Sequence, residues 1–269
     1  MIVFPNCKIN LGLHILHRRQ DGFHDLETVF YPVPVTDALE ALPAARLQFQ
    51  SSGIAVPGDA LDNLCLRAWH LLKKDFPDLS PVNIHLHKHI PIGAGLGGGS
   101  ADAAFMLQLL NRKFQLGLST EQLIAYAAQL GSDCAFFIRN QPCYATGRGE
   151  VLEPLALDLS GYSLLLVYPG IHVNTGWAFG QITPGQPAQA LRQSIQQPVQ
   201  AWKELIQNDF EAPVFSAHPV LREIKETLYG AGALYATMSG SGSAMVGIFP
   251  KNQIAGISWD AGYREFLIK

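Results

Sequence analysis

A glycine-rich run at residues 91–101 constrains this chain more than any other segment. It consists of Pro91, Ile92, Gly93, Ala94, Gly95, Leu96, Gly97, Gly98, Gly99, Ser100 and Ala101. The residues that follow it, 101–114, have the pattern of an amphipathic helix. Because glycine has no Cβ, backbone N–H groups can converge on a small volume, and the helix start adds unpaired donors and the positive end of a dipole. The run therefore predicts a cradle for phosphate, with a plain flexible turn as the alternative.

Two well-known phosphate loops do not fit this run. A Walker A loop needs Lys-Ser/Thr after its last glycine, whereas Gly99 is followed by Ser100 and Ala101. The dinucleotide pattern G-x-G-x-x-G matches formally, but it also requires an acidic residue about 20 positions on, after a second strand. Glu121 follows Ser119 and Thr120 and opens a helical pattern, so we interpret it as a first-turn helix residue. A different fold must present the cradle.

Charge and cysteine content exclude several classes of protein. The net charge is −3 and the pI is near 6.3, which gives no electrostatic signature for nucleic acid or anionic lipid. The four cysteines show no C-x-x-C spacing and are too few for a disulfide framework. No stretch reaches about 18 apolar residues. We expect a cytoplasmic globular protein that binds neither nucleic acid nor membrane.

The distribution of apolar residues predicts an α+β chain with two lobes and a boundary near residues 150–160. The predicted strands are 8–16, 23–33, 81–90, 143–147, 163–169 and 244–249. The predicted helices are 64–76, 101–114, 120–130, 186–210 and 218–232. A Pro/Ala-rich separator is expected at 32–45 and a short loop at 131–137.

Three histidines alternate in the strand pattern at 81–90. His85, His87 and His89 share one face of a strand, and the apolar residues Ile84, Leu86 and Ile90 share the other. H-x-H spacing can ligate zinc, but it is also typical of a strand with one solvated face. We favour the solvated face.

Further candidate residues lie outside the glycine run. Lys8 and Asn10 occupy alternate positions of the first strand, where a surface lysine is the ordinary alternative. Asp133 lies among small residues before an apolar run, so we expect a partly buried carboxylate with a partner such as a lysine or a helix start. A carboxylate and a lysine together suit phosphoryl transfer, since one can orient or deprotonate a hydroxyl and the other offsets charge. A Gly/Ser turn at 238–249 precedes a strand and is either functional or an ordinary tight turn.

These features together resemble the GHMP kinase family, named for galacto-, homoserine, mevalonate and phosphomevalonate kinases. The three family motifs occur in order as the strand with Lys8 and Asn10, the glycine run, and the SGSGSA turn at 239–244. The similarity extends over nearly the whole chain and is weakest at 32–60 and 181–215. The other segments that carry it are 8–30, 62–68, 130–137, 144–155 and 167–179.

The resemblance implies a role for each matching residue of the nucleotide half. Lys8 and Asp133 fall on the catalytic lysine and aspartate of the family. Residues 91–101 fall on its ATP-phosphate loop, and Asn63 falls beside the adenine. The implied division is an ATP-binding domain at 1–152 and a substrate domain at 153–269, with a cleft between them.

The resemblance also implies a cytosine site. Phe23 and His24 match positions where an aromatic ring stacks on the base and a histidine reads its edge. Phe179 matches the ring on the opposite side, Thr175 a neighbouring contact, and Asn10 a residue near the remainder of the substrate. Phe23 stands where similar proteins often carry tyrosine, and Gly176 replaces an expected proline.

The implied activity is transfer of the ATP γ-phosphoryl group to a tertiary hydroxyl of a small molecule that carries a cytidine diphosphate group. Mg²⁺ is expected with ATP because it bridges and neutralises the phosphates, but no acidic pair identifies its ligand, and Ser100 is a candidate by analogy alone. The protein would act as a monomer or a homodimer. The alternatives are another small-molecule kinase of the family, acting on homoserine or a mevalonate-like substrate, and a non-catalytic nucleotide sensor, against which the retention of Lys8 and Asp133 argues.

Overall fold

The structure is a computed structural model that describes residues 1–59, 62–254 and 256–269. The strands are β1 (Ile2–Val3), β2 (Asn6–Arg18), β3 (His24–Thr36), β4 (Ala38–Pro43), β5 (Gln48–Gly53), β6 (Val82–Lys88), β7 (Cys143–Thr146), β8 (Val151–Pro154), β9 (Tyr162–Tyr168), β10 (Tyr235–Met238), β11 (Met245–Pro250) and β12 (Arg264–Ile268). The helices are α1 (Leu64–Asp75), α2 (Gly98–Phe114), α3 (Thr120–Leu130), α4 (Cys134–Arg139), α5 (Thr175–Gly180), α6 (Leu191–Ser194), α7 (Trp202–Leu205), α8 (Glu211–Ala217) and α9 (Val220–Gly230).

The described residues form three four-stranded sheets, and the predicted α+β class is confirmed. Their orders are β1-β4-β6-β5, β2-β3-β7-β8 and β10-β11-β9-β12. Most neighbours are antiparallel, whereas β5 and β6 run parallel. Among the described residues, no helix has the length and apolar character needed to cross a membrane.

The chain divides into two compact units that interleave along the sequence. The first unit comprises Met1–Lys8, Pro32–Ile92 and Gly97–Gln141, and the second comprises Ile9–Tyr31, Gly93–Leu96 and Pro142–Lys269. The predicted domain boundary after residue 152 lies inside the second unit, and as a boundary between family domains it stays a prediction.

In the first unit, helix α2 packs against α1, α3 and α4, and strand β6 pairs with β4 and β5. Helix α3 begins with a capping box, in which the Ser119 side chain accepts from the Gln122 backbone and the Gln122 side chain accepts from Ser119. Glu121 lies in the first turn of α3, as predicted. Because Glu121 belongs to this capped helix start, it does not follow the second strand that a dinucleotide-binding motif requires.

Strand β6 and the residues after it show the predicted alternation. His85, His87 and His89 are exposed, and the Ser52 hydroxyl hydrogen-bonds His85 Nε2 at 3.1 Å and His87 Nδ1 at 3.0 Å. The solvated-face interpretation of these histidines is confirmed. The opposite face is buried, but it carries a charged residue, Lys88, that the sequence reading passed over.

Lys88 lies in a buried cluster with two carboxylates. Its ammonium group binds Asp37, between β3 and β4, and lies 2.8 Å from Asp102 Oδ2 in α2. Asp37 Oδ1 also accepts from the backbone N–H groups of His89 at 2.6 Å and Ile90 at 2.9 Å. Burial raises the pKa of Asp102 to about 8 against the opposing effect of Lys88, while the two carboxylates raise the pKa of Lys88 although burial alone would lower it. The cluster fixes the backbone immediately before the glycine run.

In the second unit, helix α9 packs on the sheet that contains β10 and β11. Leu221, Ile224 and Leu228 follow helical spacing along one buried face of α9. They join a core to which Leu165 of β9 and Met245 of β11 contribute. Burial of this apolar face stabilises α9 more than its intrinsic propensity can.

Two predicted irregular segments turn out to be regular. The expected separator at 32–45 forms the end of β3 and all of β4, because Val33 and Val35 point to the core while Pro34 points to solvent. The expected loop at 131–137 contains helix α4, whose Phe136 and Phe137 are buried and which ends at Asn140 in the left-handed conformation. Burial of the two aromatic rings outweighs the loop character of the preceding Gly-Ser-Asp.

The predicted long helix at 186–210 is wrong. The segment contains the short helices α6 and α7 joined by a 3₁₀ turn at Val199–Ala201, because Pro198 interrupts the helical hydrogen bonding. Residues 207–209 then pair with β2, where the Leu13 N–H donates to Gln207 O and the Asp209 N–H donates to Leu13 O, both at 2.9 Å. Strands β1, β4, β8, β10 and β12 were also not predicted.

The Lys88 cluster leads to a stability prediction. Replacing Lys88→Met should lower the free energy of unfolding by about 3–5 kcal/mol, because the buried side chains of Asp37 and Asp102 lose the ammonium group that binds both of them. Lys74, exposed on α1, provides the control, and Lys74→Met should change the unfolding free energy by no more than about 0.5 kcal/mol. Urea titration measures both variants, and similar losses in the two would contradict a stabilising role for the cluster.

Candidate active site

The glycine run adopts a conformation that larger residues could not share. Gly95 and Gly97 have φ angles of 78° and 70°, in the left-handed region. A Cβ at Gly95 would lie 1.9 Å from the carbonyl oxygen of Ser239, and one at Gly97 would lie 3.1 Å from Lys8 Cγ. The glycines therefore allow close backbone approach at two different places.

Helix α2 begins inside the run and faces solvent at its first turn. Gly97 occupies the N-cap position, and within the described residues no side chain caps this helix start. Gly99 is exposed, and a Cβ added there would have its nearest neighbour at 3.9 Å. The first N–H groups of a 17-residue helix thus have room for an anion, as the phosphate-cradle prediction requires.

Lys8 and Asp133 form an ion pair in the first unit. Lys8 Nζ lies 3.5 Å from Asp133 Oδ2, with 4% of the lysine side chain and 33% of the aspartate side chain exposed. Asp133 stands directly before α4, and Lys8 passes close to Gly97 at the start of α2. The prediction of a partly buried Asp133 with a lysine partner is confirmed.

Asn63 and Ser100 lie near the same helix start. The Asn63 side chain caps α1 by accepting from the Cys65 N–H at 2.9 Å, and Leu64 is the nearest neighbour to the open side of Gly99. Ser100 lies in the first turn of α2, and its hydroxyl lowers the pKa of the Cys134 thiol against the larger, opposite effect of burial. All four cysteines, which lie within the described ranges, are buried and form no disulfide.

In the second unit, Asn10 is buried and connected to the late Gly/Ser turn. Its side-chain amide donates to Thr28 Oγ1 at 2.9 Å, and its backbone N–H donates to Ser239 Oγ at 3.2 Å. Ser239 Oγ in turn donates to the carbonyl of Gly95 at 2.9 Å. The turn therefore contacts the glycine run directly, and its functional role stays a prediction.

The residues matched to a cytosine site lie in the second unit as well. Phe179 stacks on His24, with ring centroids 5.0 Å apart and planes at 17°, and it meets Phe210 edge-on at 4.9 Å. Phe23 is 54% exposed, and the Arg148 guanidinium lies 4.8 Å from its ring centroid. The aromatic side chain that stacks on Phe179 is therefore His24. Binding of a base between Phe23 and Phe179 stays a prediction.

Thr175 opens helix α5, and its hydroxyl lies 2.9 Å from that of Ser241 in the late turn. Gly176 lies in the first turn of the same helix, which the Asn174 side chain caps by accepting from the Trp177 N–H at 2.8 Å. The helix start is therefore ordered by its cap without the expected proline.

Several residues around the site were missed by the sequence reading. Lys88 could have been found, because strict alternation places it on the buried face of β6. Thr28 and Arg148 gave no signal, because their contacts with Asn10 and Phe23 join distant parts of the sequence.

Comparison with known proteins identifies the family. Residues 63–141 match the GHMP kinases N terminal domain and residues 188–258 match GHMP kinases C terminal, together more than half of the chain. The chain belongs to the GHMP kinase family.

Individual relatives share one name. The chain is 53% identical over 264 residues to the 4-diphosphocytidyl-2-C-methyl-D-erythritol kinase of Bacteroides thetaiotaomicron, with 96% of each chain covered. The enzyme of that name from Cytophaga hutchinsonii is 49% identical over 250 residues, covering 93% of this chain and 92% of the relative.

Solved structures agree with this similarity. A crystal structure of 4-(cytidine 5'-diphospho)-2C-methyl-D-erythritol kinase matches with a TM-score of 0.77 and 33% identity, covering 92% of this chain and 90% of the other. The Methanococcus jannaschii mevalonate kinase matches with a TM-score of 0.71 at 11% identity, covering 99% and 97%, and shares the fold.

Two glycine substitutions should distinguish glycines that the conformation of the run requires from glycines that leave room for a ligand. Gly95→Ala places a methyl group against Ser239 O in a left-handed conformation and should destabilise the fold by more than about 1–2 kcal/mol. Gly99→Ala adds a methyl group in open space within a helix and should be neutral or stabilising by up to about 1 kcal/mol.

The affinity of Gly99→Ala for a non-hydrolysable ATP analogue should nevertheless fall, because the methyl group occupies the face where phosphate would lie. Thermal unfolding and calorimetric titration measure the two properties separately. Unchanged affinity in folded Gly99→Ala would contradict phosphate binding at this helix start.

Proposed function

We propose that this chain transfers the γ-phosphoryl group of ATP to the 2-hydroxyl of 4-diphosphocytidyl-2-C-methyl-D-erythritol, a step of non-mevalonate isoprenoid precursor biosynthesis. The observation that carries the proposal is the Lys8–Asp133 pair beside the start of α2, in a chain about half identical to enzymes of that name. A partly exposed carboxylate, a buried lysine and a phosphate cradle are the groups that this reaction needs.

The glycine run and the start of α2 would hold the ATP phosphates. The first N–H groups of α2 point to a surface that Gly99 leaves open, and the helix dipole favours negative charge there. Asn63, at the start of α1, is proposed to lie beside the adenine. Its capping bond occupies one side-chain oxygen and leaves the amide nitrogen for the ligand.

Asp133 and Lys8 are proposed to act on the acceptor hydroxyl. Asp133 orients the hydroxyl and accepts its proton, while the oxygen forms a bond to the γ-phosphorus and the bond to ADP breaks. The Lys8 ammonium offsets the negative charge that develops on the transferring group. Because the hydroxyl is tertiary and hindered, accurate placement of the substrate contributes much of the rate.

Mg²⁺ is proposed to accompany ATP. This ion usually retains water and takes one or two protein oxygen ligands besides the phosphates. Within the described residues no cluster of three His, Cys, Asp or Glu side chains could hold a metal. The Ser100 hydroxyl lies in the first turn of α2 and fits this requirement for a single oxygen ligand. When bound, the ion would neutralise phosphate charge.

The cytidine end of the substrate is proposed to bind at Phe23, His24 and Phe179, with Thr175 and Asn10 nearby. Burial lowers the pKa of His24, assisted by Arg18. A neutral imidazole offers one donor and one acceptor, which suits the edge of a cytosine. Phe23 provides exposed stacking area without the hydroxyl that tyrosine would add.

A parallel assay tests the function. ADP release is measured with 4-diphosphocytidyl-2-C-methyl-D-erythritol, homoserine and mevalonate. The first substrate should have a kcat/KM at least about a hundredfold higher than the others, because a polar site rejects ligands that leave its groups unpaired. Preference for homoserine or mevalonate would indicate another kinase of the family, and nucleotide binding without ADP release would indicate a sensor.

The proposed base leads to a kinetic prediction. Asp133→Asn should reduce kcat by about 10²-fold or more while binding of an ATP analogue stays near normal, and Lys8→Ala should also lose turnover. Asp78→Asn, at an exposed loop position, is the control and should retain wild-type kcat. Turnover near wild type in folded Asp133→Asn would show that another group accepts the proton.

The cytosine site leads to a binding prediction. Phe23→Ala and Phe179→Ala should each weaken binding of CMP or CDP by about 1–3 kcal/mol, because base stacking on an aromatic ring is lost. KM for the cytidyl substrate should rise more than kcat falls, since the base lies far from the transferring group.

Phe4→Ala is the matched control, because Phe4 is 57% exposed and lies in the first unit. Its cytidine-nucleotide affinity should equal that of the wild type. Equal affinity in all three folded variants would remove the basis for the cytidyl assignment.

A further inference from the structure

Four consecutive residues of the second unit, Asn208–Glu211, contain three acidic or amide side chains that all bind backbone groups. We refer to them as the 208–211 segment. They lie in the region where the sequence resemblance is weak, and the first three of them belong to the segment that was wrongly expected to be one long helix. The 208–211 segment contains none of the residues assigned to the glycine run, to the Lys8–Asp133 ion pair or to the cytosine site.

Asn208 is the centre of this segment. Its side-chain nitrogen donates to the carbonyl groups of Met238 and Gly240, both at 2.8 Å, and its side-chain oxygen accepts from the Phe210 N–H at 3.0 Å. The residue is 3% exposed. Because its two donors and its acceptor are all used, the amide can hold the two ends of the 238–240 turn in one orientation.

Glu211 adds a second attachment to the same turn. Its Oε1 accepts from the Met238 N–H at 2.8 Å and from the Thr237 hydroxyl at 3.2 Å, and its Oε2 pairs with Lys225 at 2.5 Å. Hydrogen bonds to a charged acceptor are stronger than neutral ones.

Asp209 attaches the segment to strand β2. Its Oδ2 accepts from the Ile15 N–H at 2.7 Å, and its Oδ1 lies 3.1 Å from His14 Nδ1. The backbone of Asp209 also bonds to Leu13, which extends the connection along β2. The segment is therefore bonded to the late turn on one side and to β2 on the other.

The turn that Asn208 holds makes contacts with two candidate site elements. Ser239, between the two carbonyl groups bound by Asn208, donates to Gly95 O of the glycine run and accepts from the Asn10 N–H. The approach is so close that a methyl group on Gly95 would collide with Ser239 O. A shift of the turn would therefore move both Gly95 and Asn10.

We propose that Asn208 is a positioning residue for phosphoryl transfer, which acts through Ser239 to set the places of Gly95 in the phosphate loop and of Asn10. This inference rests on the proposed function, since it concerns the same site. It assigns to Asn208 an effect on nucleotide affinity and turnover that a general contribution to stability would not produce.

The test compares two asparagines that bond to backbone in the same way. Asn111, near the end of α2, donates to Leu118 O and accepts from Leu118 N–H, both at 3.0 Å, in the first unit. Both Asn208→Ala and Asn111→Ala lose donor and acceptor bonds and should lower the thermal midpoint. Only Asn208→Ala should weaken binding of a non-hydrolysable ATP analogue and lower kcat, each by at least about tenfold, because misplacement of the loop costs transition-state contacts.

Ser239→Ala supplies the second step of the test. It should reproduce the losses of Asn208→Ala, and the double variant should lose little more than either single variant, because both changes act on one connection. If Asn208→Ala does not fold, Ser239→Ala alone should still show the tenfold losses below its unfolding temperature. Wild-type analogue affinity and kcat in folded Asn208→Ala or Ser239→Ala would overturn the proposal.

Binding of the ATP analogue is measured without the substrate that accepts the phosphoryl group. If the wild type released no ADP with the cytidyl substrate, the proposed function would fail. The affinity comparison between Asn208→Ala and Asn111→Ala would still decide whether Asn208 positions the phosphate loop.

Discussion

A loop made of glycine can bring backbone N–H groups close to phosphate, but it contains no side chains with which to hold its own shape. Each glycine also loses more conformational entropy on ordering than any other residue. The residues around the loop must therefore supply the order. In the first unit, Asp37 binds the N–H groups of His89 and Ile90 just before the run, and in the second unit Ser239 binds Gly95. The conformation of the glycine run therefore depends on these attachments as well as on its own glycines.

Within the part of the chain that the structure describes, two buried lysines have carboxylate partners, and the solvent exposure of those partners distinguishes them. Lys88 is enclosed with Asp37 and Asp102, and the side chains of all three are at most 4% exposed. Its ammonium group therefore connects Asp37, which binds the backbone before the glycine run, to Asp102 of helix α2. Lys8 meets Asp133, a third of whose side chain is exposed. An enclosed ion cluster can fix geometry, whereas a partly exposed carboxylate can receive a proton from a substrate. The solvent exposure of the carboxylate therefore makes the Lys8–Asp133 pair, and not the Lys88 cluster, the better candidate for proton transfer.

Sequence reasoning predicted the parts of the candidate site that depend on local pattern. The glycine run, the need of Asp133 for a partner such as a lysine or a helix start, and the alternation of β6 follow from the residue pattern alone, while the catalytic role predicted for Lys8 came from the family resemblance. The partners of Lys88 lie 51 and 14 residues away, and periodicity tells which face is buried but not which carboxylate meets it. The 208–211 segment was lost for a related reason, because its side chains bind distant backbone and Pro198 breaks the helix that local pattern predicted.

The two phenylalanines matched to the cytosine site differ in how firmly the protein holds them. Phe179 stacks on His24 and meets Phe210 edge-on, so its plane is fixed by packing on two sides. Phe23 is more than half exposed beside the Arg148 guanidinium. A fixed ring costs little entropy when a base stacks on it, whereas an exposed ring must be ordered at the moment of binding. Phe179 should therefore set where a base lies, and Phe23 should contribute mainly the apolar area that covers it.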